Sequence, residues 1–240
     1  MRGRAGMAPG RGEWESVLAG HFLLRHLQPE ELRRLVAGLT TARHARGATI
    51  FQKGDPGDSM MAVLRGRVKI CTISSEGREL VLNLIDQGSL FGEIALLDGR
   101  PRTADAVAIE DCEVLVLPRS RFMPFLMASP ELVARLFSVL CQRLRQTSAH
   151  LEDTLLRDAP SRLAGGLLRL SETFGRPGAG GMLLDIRLSQ RQIGNLIGIS
   201  RESINHYLGE WRQAGHIAIE GGMITIRDCH ALESIAALDA

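Results

Sequence analysis

At Ser129 the hydrophobic pattern of the chain changes its period. Upstream, from about residue 48 to residue 117, short apolar runs alternate with glycine-containing breaks, as in ATIFQKGDPGDSMMAVLRGRVKICTISSEGRELVLNLIDQGSLFGE. Runs of this length joined by tight turns predict a small antiparallel β-barrel or roll. Asp55-Pro56-Gly57-Asp58 and Glu76-Gly77 supply the turns, because proline presets φ and glycine tolerates a positive one. Downstream, residues 129–157 carry Leu132, Leu136, Leu140, Leu144, Thr147, Leu151 and Leu155 at spacings of four or three. That period draws one narrow apolar stripe along a helix of about seven or eight turns. Ser129 suits its N-cap, Pro130 its first turn and Glu131 the positive end of its dipole. The stripe can pack on its own domain or pair with a second copy, and its length and narrowness favour the pair, as in a coiled coil. Both periods in one chain predict an α+β protein with more than one part.

The 240 residues, 45% hydrophobic and 23% charged, have room for one large domain or two small ones. With 29 Lys+Arg against 27 Asp+Glu the net charge is +2, so no global field draws nucleic acid, and a DNA-binding role must rest on a local site. No run approaches the roughly 20 apolar residues that span a bilayer. The opening MRGRAGMAPGRG lacks the apolar stretch of a secretion signal, and residues 1–20 read as a disordered leader of a cytoplasmic protein. Cys71, Cys112, Cys141 and Cys229 form no C-x-x-C pair, and the seven histidines are scattered, so neither a metal site nor a disulfide framework is expected. No Ser-His-Asp order, H-E-x-x-H, phosphate loop or paired-carboxylate motif signals an enzyme.

Pro160 breaks the helical pattern just after Arg157-Asp158, which sets a domain boundary near residues 158–160. The divisions expected are the leader over 1–20, a β domain over 21–128, the long helix over 129–157 and a second domain over 158–240. Within the last, residues 161–174 read as a helix and GRPGAGG as a loop without regular structure. That loop lacks the Gly-Lys-Ser/Thr ending of a nucleotide-binding loop.

Two constellations carry chemistry. In FGEIALLDGRPRTADA, Gly92 and Glu93 open a short helix-like run and Arg102 and Thr103 follow nine and ten residues later. The Arg102 guanidinium offers fixed donors to phosphate oxygens, Thr103 adds a hydroxyl, and Glu93 can accept from a sugar hydroxyl. A surface ion pair between Glu93 and Arg102 is the alternative by spacing alone. In RLSQRQIGNLIGISRESINHYLGEWRQAGHIAI, Ser189 caps a first helix with Ile193, Leu196 and Ile197 on one face, Gly198 turns, and Ser200 caps a second helix whose buried face is Ile204, Leu208 and Trp211. Two short helices about a glycine turn form a DNA-reading unit. The second helix would present Arg201, Glu202, Asn205 and His206 to bases, while Ser189, Arg191, Ser200 and Ser203 reach phosphates. Residues 160–240 hold eight Arg and eight acidic residues, so pattern rather than charge carries this reading. IAIEGGMITI reads as a hairpin turning at Gly221-Gly222, a wing behind the helices.

FGEIALLDGRPRTA resembles the phosphate-binding cassette of cyclic nucleotide-binding domains, with Gly54-Asp55-x-Gly57-Asp58 and Val63-Leu64-x-Gly66-x-Val68 upstream matching as well. IGNLIGISRES is similar to the helix-turn-helix signature of the cyclic AMP receptor protein and fumarate-nitrate regulator (Crp/Fnr) transcription factors, and the order of parts matches that family from about residue 30 to 228. The resemblance implies a cyclic nucleotide-binding β-roll, a long dimerisation helix and a C-terminal winged helix-turn-helix. It implies that Gly92 and Glu93 take the ribose hydroxyl and that Arg102 and Thr103 take the cyclic phosphate. Thr147 and Ser148 would read the purine from the partner's long helix, and Arg143 would pair with Glu93. Arg201 and Glu202 would read bases, with His206 standing where many members have a second base-reading Arg. Expected partners are a palindromic double-stranded DNA, RNA polymerase and a second copy, with no membrane. The expected ligand is cAMP. Thr103 beside Arg102 also suits cGMP, and a constitutive regulator that binds no nucleotide is the other alternative. The iron-sulfur branch of the family carries an N-terminal cysteine cluster, whereas no cysteine precedes Cys71 here.

Overall fold

Period-2 burial in two central strands organises the first half of the chain. A computed structural model describes residues 27–237 apart from Gly38 and Ala179, together with Trp14, residues 18–20, Leu24 and Arg25. The elements of the β region are α1 (Pro29–Val36), β1 (Thr40–His44), β2 (Thr49–Phe51), β3 (Ser59–Arg65), β4 (Val68–Ile73), β5 (Glu79–Ile85), β6 (Leu90–Phe91), α2 (Glu93–Asp98), β7 (Asp105–Ala108) and β8 (Cys112–Pro118). They build two four-stranded sheets, ordered β1-β8-β3-β6 and β2-β7-β4-β5, with antiparallel pairing. Strand β3 is buried on both faces. Met60, Ala62 and Leu64 join the cluster that holds Leu35, Phe122, Leu132 and Leu136, while Met61 and Val63 join Phe91, Val68 and Ala106. Successive side chains of a strand point to opposite faces, so one strand serves both clusters. Fully burying each of the Met, Leu, Val and Phe side chains among these contributes about 1.5–3 kcal/mol.

Two helices follow, α3 (Arg119–Ala128) and α4 (Pro130–Leu156). Ser129 Oγ accepts from the Leu132 amide at 3.2 Å, the expected cap of α4. The leucine stripe does not act as one seam. Leu132 and Leu136 are buried in the β-region core and Leu140 packs against it, whereas Leu144, Leu151 and Leu155 are exposed. The exposed face of α4 instead runs Phe137, Cys141, Leu144, Ser148, Leu151, Leu155, at spacings of four and three in strict alternation. That is a heptad seam, offset from the stripe read in the sequence.

The described residues form two units, one of those up to Thr72 with Leu82–Leu144 and one of Ile73–Val81 with those from Arg145 onward. In the second, α5 (Ala159–Phe174) starts at Asp158, whose carboxylate accepts from the Ser161 amide at 2.9 Å. It is followed by β9 (Gly175–Gly178), β10 (Gly181–Leu184), α6 (Gln190–Ile197), α7 (Arg201–Gln213), β11 (Ile217–Glu220), β12 (Met223–Ile226) and α8 (Cys229–Ala237). The wing turns as expected, with Gly221 at φ +58° and Gly222 at φ +80°.

The glycine-rich segment expected to be an irregular loop is a strand pair. β9 pairs with β10, and β10 with β12, in the sheet β11-β12-β10-β9. At Gly181 a Cβ would meet the Ile226 carbonyl oxygen at 2.1 Å, so close backbone approach accounts for the glycine there. Most of the expected leader over 1–20 lies outside the described residues. Residues 18–20 are helical and Leu18 is buried in the β-region core, so core-forming sequence begins before residue 21.

Candidate ligand cavity and nucleic-acid interface

The segment after α2 brings Arg102 and Thr103 back to the residues that open that helix. Arg102 is 5% exposed, and its Nη1 donates to the Gly92 carbonyl at 2.7 Å and its Nη2 to Ser59 Oγ at 3.2 Å. Its guanidinium carbon lies 4.3 Å from the centre of the Phe51 ring, which stacks in turn on Phe91. Gly92 has φ +78°, and a Cβ there would sit 2.7 Å from Arg102 Nη1, so backbone and guanidinium both require glycine. Burial pulls the Arg102 guanidinium below its ordinary pKa, opposed by the carboxylates of Asp58, Asp55 and Glu93.

Glu93 is 4% exposed, and its Oε1 pairs with Nη1 of Arg143, whose Nη2 donates to the Leu90 carbonyl at 2.8 Å. The other oxygen, Oε2, is buried without a hydrogen-bond partner among the described residues, and so is Nε of Arg102. Both residues line one open cavity, together with Phe51, Ile70, Thr103 and Arg143. A buried acceptor and a buried donor left unpaired each cost about 1–3 kcal/mol. Thr147 and Ser148 lie farther along α4, are exposed, and do not line this cavity. Sequence reasoning missed Ser59 and Phe51. Neither stands at a diagnostic spacing, and only the folded sheets bring them to Arg102.

In the second unit the expected two-helix element is present. Ser189 Oγ accepts from the Gln192 amide at 3.2 Å while Gln192 Oε1 accepts from the Ser189 amide at 2.9 Å, a capping box at the start of α6. Gly198 ends α6 at φ +77°, and Ser200 Oγ caps α7 by accepting from the Ser203 amide at 3.1 Å. Ile193, Gly194 and Ile197 face inward with Ile204, Leu208 and Trp211. Arg191, Arg201, Glu202, Asn205 and His206 are exposed, so the side chains expected to meet bases share the open side. Ser189, Ser200 and Ser203, expected at phosphates, already hydrogen-bond at the two helix starts, with Ser200 and Ser203 hydroxyls 3.1 Å apart. Glu202 bends back over the start of α7, where its own backbone N–H and then the Ser200 hydroxyl hold its carboxyl below the usual range.

Comparison with known proteins agrees with both halves. The cyclic nucleotide-binding domain matches residues 42–129 and the Crp-like helix-turn-helix domain matches residues 161–235. The chain is 32% identical over 218 residues to the CRP-like cAMP-activated global transcriptional regulator of Mycobacterium tuberculosis, covering 91% of this chain and 97% of that protein. The chain belongs to the CRP/FNR family. It is also 31% identical over 219 residues to the cyclic AMP receptor protein of Thermus thermophilus, covering 91% of this chain and 98% of that protein. Among solved structures, a CRP/FNR-family transcriptional regulator from Thermus thermophilus superposes with a TM-score of 0.68 at 28% identity, over 84% of this chain and all of that one. As a CRP/FNR protein this is a DNA-binding transcription regulator with a cyclic nucleotide-binding domain, not an enzyme. Among the described residues no helix is long and apolar enough by itself to cross a membrane, and no cluster of His, Cys, Asp and Glu could hold a metal ion.

Proposed function

We propose that this protein is a cAMP-gated homodimeric regulator that binds a palindromic DNA site. The observation that carries the reading is that Arg102 and Glu93, each with a buried side-chain atom that has no hydrogen-bond partner among the described residues, line one cavity. A cyclic nucleotide brings an anionic phosphate and a ribose hydroxyl on one rigid frame. The phosphate goes to Arg102 and Thr103, the ribose 2′-hydroxyl donates to Glu93, and Gly92 leaves the space they need. Arg143 pairs with Glu93 and orients it. Two relatives named for cAMP, over nearly their full lengths, support that nucleotide over cGMP. Thr103, exposed beside Arg102 on the cavity wall, is the observation that favours cGMP as the second reading.

The exposed heptad on α4 supports pairing with a second copy, with Thr147 and Ser148 of one helix turned to the nucleotide held by the other copy. Ligand changes DNA affinity only by binding two conformations unequally, and engagement of Thr147 and Ser148 supplies that inequality. The resulting change in α4 near residues 151–158 would set the two α7 helices about 34 Å apart, one turn of duplex. Acting on promoters in the cytoplasm, the DNA-bound dimer then meets RNA polymerase.

Calorimetric titration with cAMP and with cGMP, followed by a gel-shift assay on palindromic DNA with each, tests this. Binding of cAMP at one per subunit, tighter DNA binding in its presence and a dimer by sedimentation are expected, with Leu151→Glu giving monomer. Tighter binding of cGMP would name that ligand instead, and DNA binding unchanged by either would make this a constitutive regulator.

A further inference from the structure

Arg119, the first residue of α3, took no part in the sequence reading, yet it meets both segments that hold the candidate cavity. Its Nε donates to the Leu96 carbonyl of α2 at 2.6 Å, and its backbone N–H donates to the Asp58 carbonyl at 2.7 Å. Helix α2 is only six residues long and opens with Glu93 on the cavity wall. The last carbonyls of a helix have no partner within it. That of Ala95 takes the Gly99 amide at 3.0 Å, and that of Leu96 takes the guanidinium, a cation suited to the negative end of a helix. The segment 54–58 is tied to the other side of the cavity. Arg102 donates its backbone N–H to the Asp55 carbonyl at 2.8 Å, and its carbonyl accepts from the Gly54 amide at 2.9 Å. This segment lies so close to α2 that a Cβ at Gly57 would fall 2.1 Å from that of Ala95. We propose that Arg119 is a positioning residue for the response to nucleotide, tying the segments that carry Glu93 and Arg102 to α3 and, through α3, to α4 of the same subunit.

The chemistry fixes the direction of the bond, because a guanidinium only donates and a carbonyl only accepts. The connection continues on the far side. Leu96 accepts through its backbone and buries its side chain in the cluster that holds Phe122 and Leu126 of α3 with Leu132 and Leu136 of α4. Close-packed interiors transmit strain rather than absorb it. A shift of Glu93 or Arg102 on nucleotide binding is therefore passed to α3, and the two bonds of Arg119 make α2 and segment 54–58 move with it. This path runs inside one subunit, unlike the contact of Thr147 and Ser148 with the other copy's nucleotide. It rests on the reading of the protein as a cyclic nucleotide-gated regulator.

Two variants separate coupling from folding. Arg119→Met puts a methyl group where Nε stands and donates nothing, whereas Arg119→Lys restores a cationic donor. For the full-length protein and both variants, affinity for a palindromic duplex selected by the wild type is measured without nucleotide, with saturating cAMP and with saturating cGMP. Thermal melting checks each fold. The ratio of affinities with and without nucleotide is the coupling, and linkage requires the same factor in nucleotide binding with and without DNA. Arg119→Met should lower that ratio by about 3- to 30-fold, and Arg119→Lys should recover most of it. An unchanged ratio in Arg119→Met, whatever its melting temperature, would overturn the proposal, and so would an equal loss in both variants. Amide hydrogen exchange of the wild type needs no variant to fold. Added cAMP should slow exchange in residues 119–128 together with 93–98, and slowing confined to 93–98 would overturn the proposal. A wild-type ratio of one with both nucleotides would overturn the gated reading itself and this proposal with it, a result distinct from a coupled wild type whose ratio Arg119→Met leaves intact.

Discussion

Arg102 shows how much a single side chain can be asked to do. Its guanidinium closes the turn after α2, donates to Gly92 and Ser59, and lies over Phe51. None of these contacts uses Nε, which is buried without a hydrogen-bond partner among the described residues. Truncation therefore removes structural hydrogen bonds as well as the charge that faces the cavity. Arg102→Ala should weaken cyclic nucleotide binding by at least about 3 kcal/mol, the loss of two charge-assisted hydrogen bonds, which is more than 100-fold by calorimetry. The dimer should persist by sedimentation, because the exposed seam of α4 lies elsewhere. Unchanged affinity would remove Arg102 from the site. Lysine is a poor substitute at this position, since a point charge on a flexible stem cannot hold Gly92, Ser59 and a phosphate at once.

Among the elements, a cluster of charges joins the end of α4 to α5. Asp153 is 8% exposed and pairs with Arg157 at 3.0 Å and with Arg169 at 2.6 Å. His150, one turn earlier, is half-buried beside them. Burial first, then Arg169 and Arg162, push its pKa below the ordinary value near 6.5, against the pull of Asp153. The folded chain thus binds this proton less readily than the unfolded one, so the contribution is complete above that value and lost as pH falls through it toward the depressed one. The thermal midpoint should fall between about pH 7.5 and about pH 5, and His150→Gln should show a smaller fall. An identical fall in the variant would rule out His150 as its source. Much of this architecture was legible in the sequence, and the exceptions have physical causes. Helix α4, the caps at Ser189 and Ser200, and the glycine turn at Gly198 were readable because periodicity and capping are local. The strand pair β9-β10 was not, because glycines carry no alternating pattern and the pairing with β12 is distant in sequence. The seam of α4 was displaced by one residue for a related reason. Leu132 and Leu136 satisfy the same period while facing a core that only the folded sheets reveal. In the cavity, the residues contributed by one short segment were legible, while Ser59 and Phe51 arrive from other strands.

For the molecule as a whole, charge is spread without a dominant sign, and the DNA-reading unit follows suit. Exposed Arg187, Arg191, Arg201 and Arg212 are answered by exposed Glu202 and Glu210 on α7 and by Glu220 beside the wing turn. Affinity for a duplex without the right sequence comes almost entirely from counterions released by cationic side chains, with a log–log slope of about −0.9 per phosphate neutralised. With four such arginines in each copy of the proposed dimer, the slope on non-cognate DNA should be no steeper than about −7 when fluorescence anisotropy is followed across salt concentration. A slope beyond about −8 would reveal cationic contacts outside this unit. A regulator so balanced spends little time sliding along the wrong sequence. Its target would be found more by repeated short collisions through solution than by sliding, and its residence on DNA would depend more on the bases it recognises than on charge.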